Sequence, residues 1–116
     1  MAVQMRAAQA LRLWHDVSLA LVQSDEPDLS VRQVSVLMTV YLEPQPHTVR
    51  ALAARLGVTK PVITRALDTM GQLGLVNRKR DPADRRNVIV QRTVEGALFL
   101  ERLGDLVAAK AAGVPA

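Results

Sequence analysis

A chain of 116 residues suits one domain with a core of moderate size, and with Trp14, Tyr41 and Phe99 as its only aromatics that core is aliphatic. The lack of cysteine excludes a thiol redox switch and any cysteine-ligated metal or iron–sulfur site, and it fits a reducing compartment. The net charge of +4 is unevenly distributed: His47 to Arg92 hold ten basic and three acidic residues, a local +7, against −3 for the rest. Such a concentrated field attracts polyanions. At the N-terminus, Arg6, Arg12, His15 and Asp16 interrupt the apolar residues, so no signal sequence forms. No apolar stretch approaches the ~18 to 20 residues of a membrane span, and the cytoplasm is the expected location.

The first predicted helix covers Met5–Gln23, with Leu11, Trp14, Val17 and Leu21 on one stripe and Leu13 and Ala20 widening it. Ser24-Asp-Glu-Pro-Asp breaks it. Ser30 caps a second helix with Val34, Leu37, Met38 and Tyr41 inward, and Pro44 and Pro46 forbid its continuation. Thr48 caps a short third helix with Val49, Leu52, Ala53 and Leu56 inward, ended by Gly57. Thr59 caps the fourth, Lys60 to about Leu73, in which Ile63, Ala66, Leu67 and Met70 define the buried face and Pro61 lies in the first turn. Gly74 ends it. Leu75–Arg80 and Asn87–Arg92 read as two strands joined by Asp81-Pro-Ala-Asp-Arg-Arg. A last helix begins near Thr93, with Leu100, Leu103 and Val107 as its stripe and Phe99 and Leu106 beside it. The tail Gly113–Ala116 is expected to fray.

Helices three and four, with the tight turn at Gly57-Val58, make a helix-turn-helix. The outward face of the fourth helix then shows Thr59, Lys60, Pro61, Thr64, Arg65, Asp68 and Thr69. Arg65 suits a bidentate contact to guanine, Thr64 a phosphate or a thymine methyl, and Lys60 a phosphate at the helix N-terminus. The hairpin offers Arg78, Arg80, Arg85, Arg86 and Asn87 as further DNA contacts, with Arg85 or Arg86 reaching an adjacent minor groove. Asp81 and Asp84 hold the loop through charge-assisted hydrogen bonds. A solvated basic face is the ordinary reading of such a charge run; its coincidence with a helix-turn-helix turns the reading toward nucleic acid.

The segments Leu29-Ser-Val-Arg-Gln, Leu52-Ala-Ala-Arg-Leu-Gly-Val-Thr-Lys, Ile63-Thr-Arg, Leu73-Gly-Leu-Val and Arg80-Asp-Pro-Ala-Asp-Arg-Arg together resemble the MarR family of winged helix-turn-helix transcription factors. The likeness runs from about Leu29 to Gly96, and the Asp-Pro-x-Asp-Arg-Arg wing is its specific part. It implies a mainly α fold, α1-α2-α3-α4-β-β-α5, with a two-stranded wing. It also implies a homodimer that binds a pseudo-palindromic operator, usually as a repressor. By position, Lys60 to Thr69 match the recognition helix, Arg85 and Arg86 the wing tip, and Asp84 its stabilising acid. Three departures stand out. Only about twenty residues follow Glu95, where the family usually has a further helix, so a dimer interface that is smaller or built differently is expected. Three aromatics in all argue against an inducer pocket for aromatic acids. Arg92 replaces the leucine common before the threonine that opens the last helix.

The expected organisation is a single winged-helix domain over 1–116, with a dimerisation helix at 1–24, the DNA-binding core at 30–92 and a second dimerisation helix at 93–112. The two terminal helices are apolar on more than one side, so a two-fold interface through Leu13, Trp14, Val17, Leu21, Leu103 and Leu106 is expected. His15 and His47 lack metal-like spacing and read as surface or capping residues. There is no glycine-rich phosphate loop, nucleophile elbow or pocket for an acid–base pair, so neither an enzyme nor a cofactor is expected. The competing reading is a winged-helix module whose basic surface docks an acidic protein partner.

Overall fold

The computed structural model describes residues 3–115. The elements are α1 (Ala7–Gln23), α2 (Val31–Leu42), β1 (His47–Thr48), α3 (Val49–Leu56), α4 (Lys60–Gln72), β2 (Val76–Arg80), β3 (Val88–Arg92) and α5 (Val94–Ala112). They fall into two compact units. One is Leu29–Leu100; the other is the N-terminal segment through Asp28 with the chain from Glu101 onward.

The Leu29–Leu100 unit is a winged helix. Ser30 Oγ accepts the Gln33 N–H at 3.1 Å while Gln33 Oε1 accepts the Ser30 N–H at 2.8 Å, a reciprocal cap that starts α2. The buried face of α2 is Val36, Leu37 and Val40, whereas the expected Val34, Met38 and Tyr41 are half-buried. The helix is apolar nearly all round, so spacing alone admits more than one stripe. Thr48 Oγ1 accepts the Ala51 N–H at 3.0 Å and opens α3. Gly57 closes α3 at φ 70°, which lets the Val58 N–H reach Ala53 O at 3.0 Å. Gly74 does the same after α4 at φ 74°, with the Leu75 N–H on Met70 O at 2.9 Å. Thr59 holds the cap position of α4, but its side chain makes no capping hydrogen bond. With Pro61 at the second position of the helix, one of the amides that such a hydroxyl usually meets is missing.

The core of this unit joins that α2 face to Val49, Leu52 and Ala53 of α3, Ile63, Ala66, Leu67 and Met70 of α4, and Leu75, Val76, Val90 and Phe99. The sheet has three strands in the order β1-β3-β2, all antiparallel. Arg80 pairs with Val88 and Val76 with Arg92 along the wing, while His47 and Thr48 pair with Val90 and Ile89. The wing is two-stranded as expected; β1 is an addition, because two residues carry no alternation to read. His47 is correspondingly buried, not at the surface. Its Nε2 donates to Glu43 O at 3.1 Å, so the capping half of the expectation holds.

Tyr41 ties the unit together. Its hydroxyl donates to Leu75 O at 2.7 Å and accepts the Thr93 N–H at 2.8 Å. Thr93 Oγ1 in turn donates to Gly74 O at 2.7 Å and accepts the Gly96 N–H at 2.9 Å. Gly96 is buried beside the Tyr41 hydroxyl, with no room for a side chain.

In the other unit, the covered face of α1 runs through Leu13, Asp16, Val17, Ala20 and Leu21, with Val17 1% exposed. Leu11 and Trp14, expected on that stripe, are 70% and 62% exposed. The true 3.6-residue row is the one containing Leu13 and Ala20. Val17, expected in a two-fold interface, is already covered within its own chain. Arg102 grips Glu26 with two hydrogen bonds of 2.7 and 3.1 Å. Of α5, Leu103, Leu106 and Val107 are half-buried here, whereas Phe99, buried, and Leu100, half-buried, belong to the winged-helix unit. Of the tail Gly113–Ala116, Ala116 lies outside the described residues; Pro115 O accepts from Gln9 Nε2 at 3.1 Å.

Candidate nucleic-acid interface

Burial of Ile63, Ala66, Leu67 and Met70 fixes how α4 is rotated. Thr59, Lys60, Pro61, Thr64, Arg65, Asp68 and Thr69 are therefore all exposed, as the sequence predicts. Asp68 is the lone carboxylate of α4. Arg78 of β2 reaches it, Nη2 to Oδ1 at 2.7 Å, joining the wing to the outer face of the helix.

The wing tip is organised by its two aspartates. Asp81 Oδ1 accepts the Ala83 N–H at 2.9 Å, and its backbone N–H donates to Asn87 O at 3.0 Å. Asp84 Oδ1 accepts both the Arg86 N–H at 3.1 Å and Arg86 Nε at 3.3 Å. Side-chain oxygens thus replace strand partners where the ladder ends. Arg80 Nη1 donates to Arg85 O at 2.8 Å, and Asn87 Nδ2 to Asp81 Oδ2 at 3.4 Å. Arg80 and Asn87, expected against DNA, thus spend these donors inside the wing. Arg85 and Arg86 are exposed, the Arg86 side chain to 86%.

Two features were not found by sequence reasoning. Arg92 lies back over the end of α2: Nε donates to Val40 O at 2.8 Å and Nη2 to Glu43 O at 3.2 Å, with the guanidinium 5.8 Å from the Tyr41 ring centroid. It thereby closes the C-terminal carbonyls of α2 and complements their negative dipole end. The other is a fork of Arg55 on Glu43, both bonds 2.9 Å, which ties α3 to the end of α2. Hydrogen bonding by Arg55 holds the Glu43 carboxyl below its ordinary range, and the carboxylate raises Arg55 in return. The one signal for Arg92 in the sequence was its place in a leucine position.

Among the described residues no cluster of three His, Cys, Asp or Glu side chains forms a metal site, and no helix is long and apolar enough to cross a membrane. The chemistry on offer is that of donors and cations on an exposed helix and ribbon.

Comparison with known proteins agrees with this geometry. A family model described as the MarR family matches residues 28–87. The transcriptional regulator HosA of Escherichia coli O111:H- is 33% identical over 110 residues, 92% of this chain and 81% of that protein. Among solved structures, the transcriptional repressor CouR bound to a 23-mer DNA duplex aligns with TM-score 0.71 and 29% identity, covering 91% of this chain and 72% of that one. A mutant MarR from E. coli complexed with operator DNA aligns with TM-score 0.67 and 27% identity, over 90% and 68% of the two chains.

Proposed function

Because the chain belongs to the MarR family of transcriptional regulators, we propose that it is a cytoplasmic repressor that binds a pseudo-palindromic operator as a homodimer. The observation that carries this reading is the pairing of two exposed cationic elements through Arg78 and Asp68. In it, α4 enters the major groove. Arg65 reads a base edge there, while Lys60 and Thr64 contact the backbone and Arg78 sets the backbone position through its hold on Asp68. Arg86, backed by Asp84, reaches the neighbouring minor groove, where a narrow width deepens the negative potential.

Repression needs occupancy alone, since a protein seated on a promoter excludes polymerase without touching it. The dimer is proposed through the apolar surface of α1 and α5, where Trp14 and Leu11 stand exposed and Leu13, Leu21, Leu103 and Leu106 are half-buried. DNA-bound relatives support this reading over an acidic protein partner.

Footprinting on the promoter of the protein's own gene tests it. The expected result is two protected half-sites about one helical turn apart, with binding that weakens steeply as salt rises. Failure to retard any duplex at low salt would remove the proposal.

A further inference from the structure

A cleft between the first turn of α2 and the recognition helix shares Arg65 with the contacts proposed above, but its α2 side has no part in them. It holds about 180 Å³. Arg32 and Gln33 line it from α2, and Val62, Arg65 and Thr69 from α4. No carboxylate lines it. Neither arginine has an ion-pair partner among the described residues, although Arg55, Arg78, Arg86 and Arg102 of the same chain all do. With two cations on its border and no carboxylate, the cleft attracts an anion.

We infer that this cleft seats one backbone phosphate of bound duplex DNA, with Arg32 as its positioning residue. The inference rests on the DNA-binding reading above and adds to it a contact made outside the helix-turn-helix and the wing. The guanidinium of Arg32 presents a planar fork that matches two non-bridging phosphate oxygens. Gln33 uses Oε1 to accept the Ser30 N–H, which leaves its amide NH2 as a donor. Because α4 borders the cleft, a phosphate seated there belongs to a strand flanking the groove that α4 occupies. The division of labour follows: Arg32 takes the charge of the backbone, and Arg65 remains available to the bases.

The test compares wild type, Arg32→Ala and Arg32→Lys by fluorescence anisotropy, on a mixed-sequence duplex and on a promoter duplex, across a salt series. Arg32→Ala is expected to weaken both duplexes alike, about 10-fold, and to lower the slope of log affinity against log salt by about 1. Arg32→Lys keeps the slope and loses less affinity, since it keeps the charge without the fork. An unchanged slope in Arg32→Ala overturns the inference, and so does a loss confined to the promoter duplex. Inorganic phosphate that binds by NMR titration while Arg32→Ala leaves DNA affinity intact assigns the cleft to a free anion and overturns it too. Wild type that binds neither duplex removes the DNA reading itself, whereas wild type that binds while Arg32→Ala matches it removes this contact alone.

Discussion

Arg78 Nη2 stands 2.7 Å from Asp68 Oδ1, and this ion pair registers the wing against the recognition helix. One residue lies on β2 and the other on the outward face of α4, so the two surfaces proposed to meet DNA are joined on their outer side by this contact, in addition to the core packing of Met70 and Val76 beneath. The pair also neutralises the lone negative side chain on the face of α4 that would meet phosphates. With the Arg78 and Asp68 side chains 32% and 54% exposed, solvent limits its worth to stability. A double-mutant cycle with Asp68→Ala and Arg78→Ala, followed by urea unfolding, should give a coupling of about 0.5 kcal/mol. Asp68→Asn should tighten binding to a mixed-sequence duplex several-fold at low salt, because Arg78 is then free for phosphate. Weaker binding would mean that registry outweighs charge.

Arg65 and Arg86 differ in role, and their alanine variants should differ in kind. Each should lose ~1 to 3 kcal/mol on a promoter duplex. Arg65→Ala should also flatten the preference for that duplex over mixed sequence, because a bidentate base contact discriminates while a phosphate contact does not. Competition assays with the two duplexes measure this. Equal affinity of wild type and Arg86→Ala would take the wing out of the mechanism.

Tyr41 and Gly96 form a close-packed joint of the winged-helix unit. A Cβ on Gly96 would overlap the Tyr41 hydroxyl and Leu75 O, both of which are committed to hydrogen bonds. Gly96→Ala should therefore destabilise by ~1 to 3 kcal/mol, the usual cost of overpacking. Tyr41→Phe removes one of the overlapping atoms but leaves Leu75 O and the ring carbon Cζ in place, and it strands the Thr93 N–H and Leu75 O, at a similar cost of ~1 to 3 kcal/mol. The double variant should cost less than the sum. Additive losses in thermal or urea unfolding would show that the two sites are independent.

Much of this architecture was legible in the sequence because local chemistry announces itself. Ser30, Thr48, Gly57 and Gly74 mark helix ends by what their side chains, or lack of one, permit. Ile63, Leu67 and Met70 set the face of α4, and that face decides which side chains point outward. The parts that were not legible depend on partners distant in sequence. His47 is polar yet buried, because β3 and Glu43 O receive it. Arg92 was legible only as a charge in a position where the family commonly has leucine; the approach of the α2 carbonyls shows that it serves as a cap. On α1, enough apolar residues were present for two rows, and spacing could not say that Val17 would be covered while Trp14 would not.

Acid should weaken the fold through three carboxylates. Arg55 holds Glu43 below its ordinary range, Arg102 does so for Glu26, and His15 with Arg12 does so for Asp16. A carboxyl whose folded value is depressed stabilises the protein above its unfolded value and loses that contribution as pH falls through the folded one. With unfolded values near ~4, stability should be level from neutrality down to about pH 5 and should decline below about pH 4. Urea midpoints measured across that range should show the decline, and Glu43→Gln should make it shallower. An identical acid slope in the variant would mean that the Arg55 fork contributes nothing to it. Because these groups are exposed, added salt should shrink the effect.

Trp14 is the one tryptophan of the chain and is 62% exposed within it, which makes it a direct reporter of the proposed dimer. An indole in water emits at longer wavelength than one packed against aliphatic side chains. If α1 of a second copy covers Trp14, emission should shift to longer wavelength on dilution, in step with the fall in mass measured by light scattering from about twice 12.7 kDa. Trp14→Ser, followed by mass alone because it removes the only indole, should move dissociation to higher concentration, since a large aromatic anchor contributes most where it is fully desolvated. A dimer by mass whose emission ignores concentration would place Trp14 outside the interface, and would turn attention to Leu19 and Val22, which are 45% and 81% exposed.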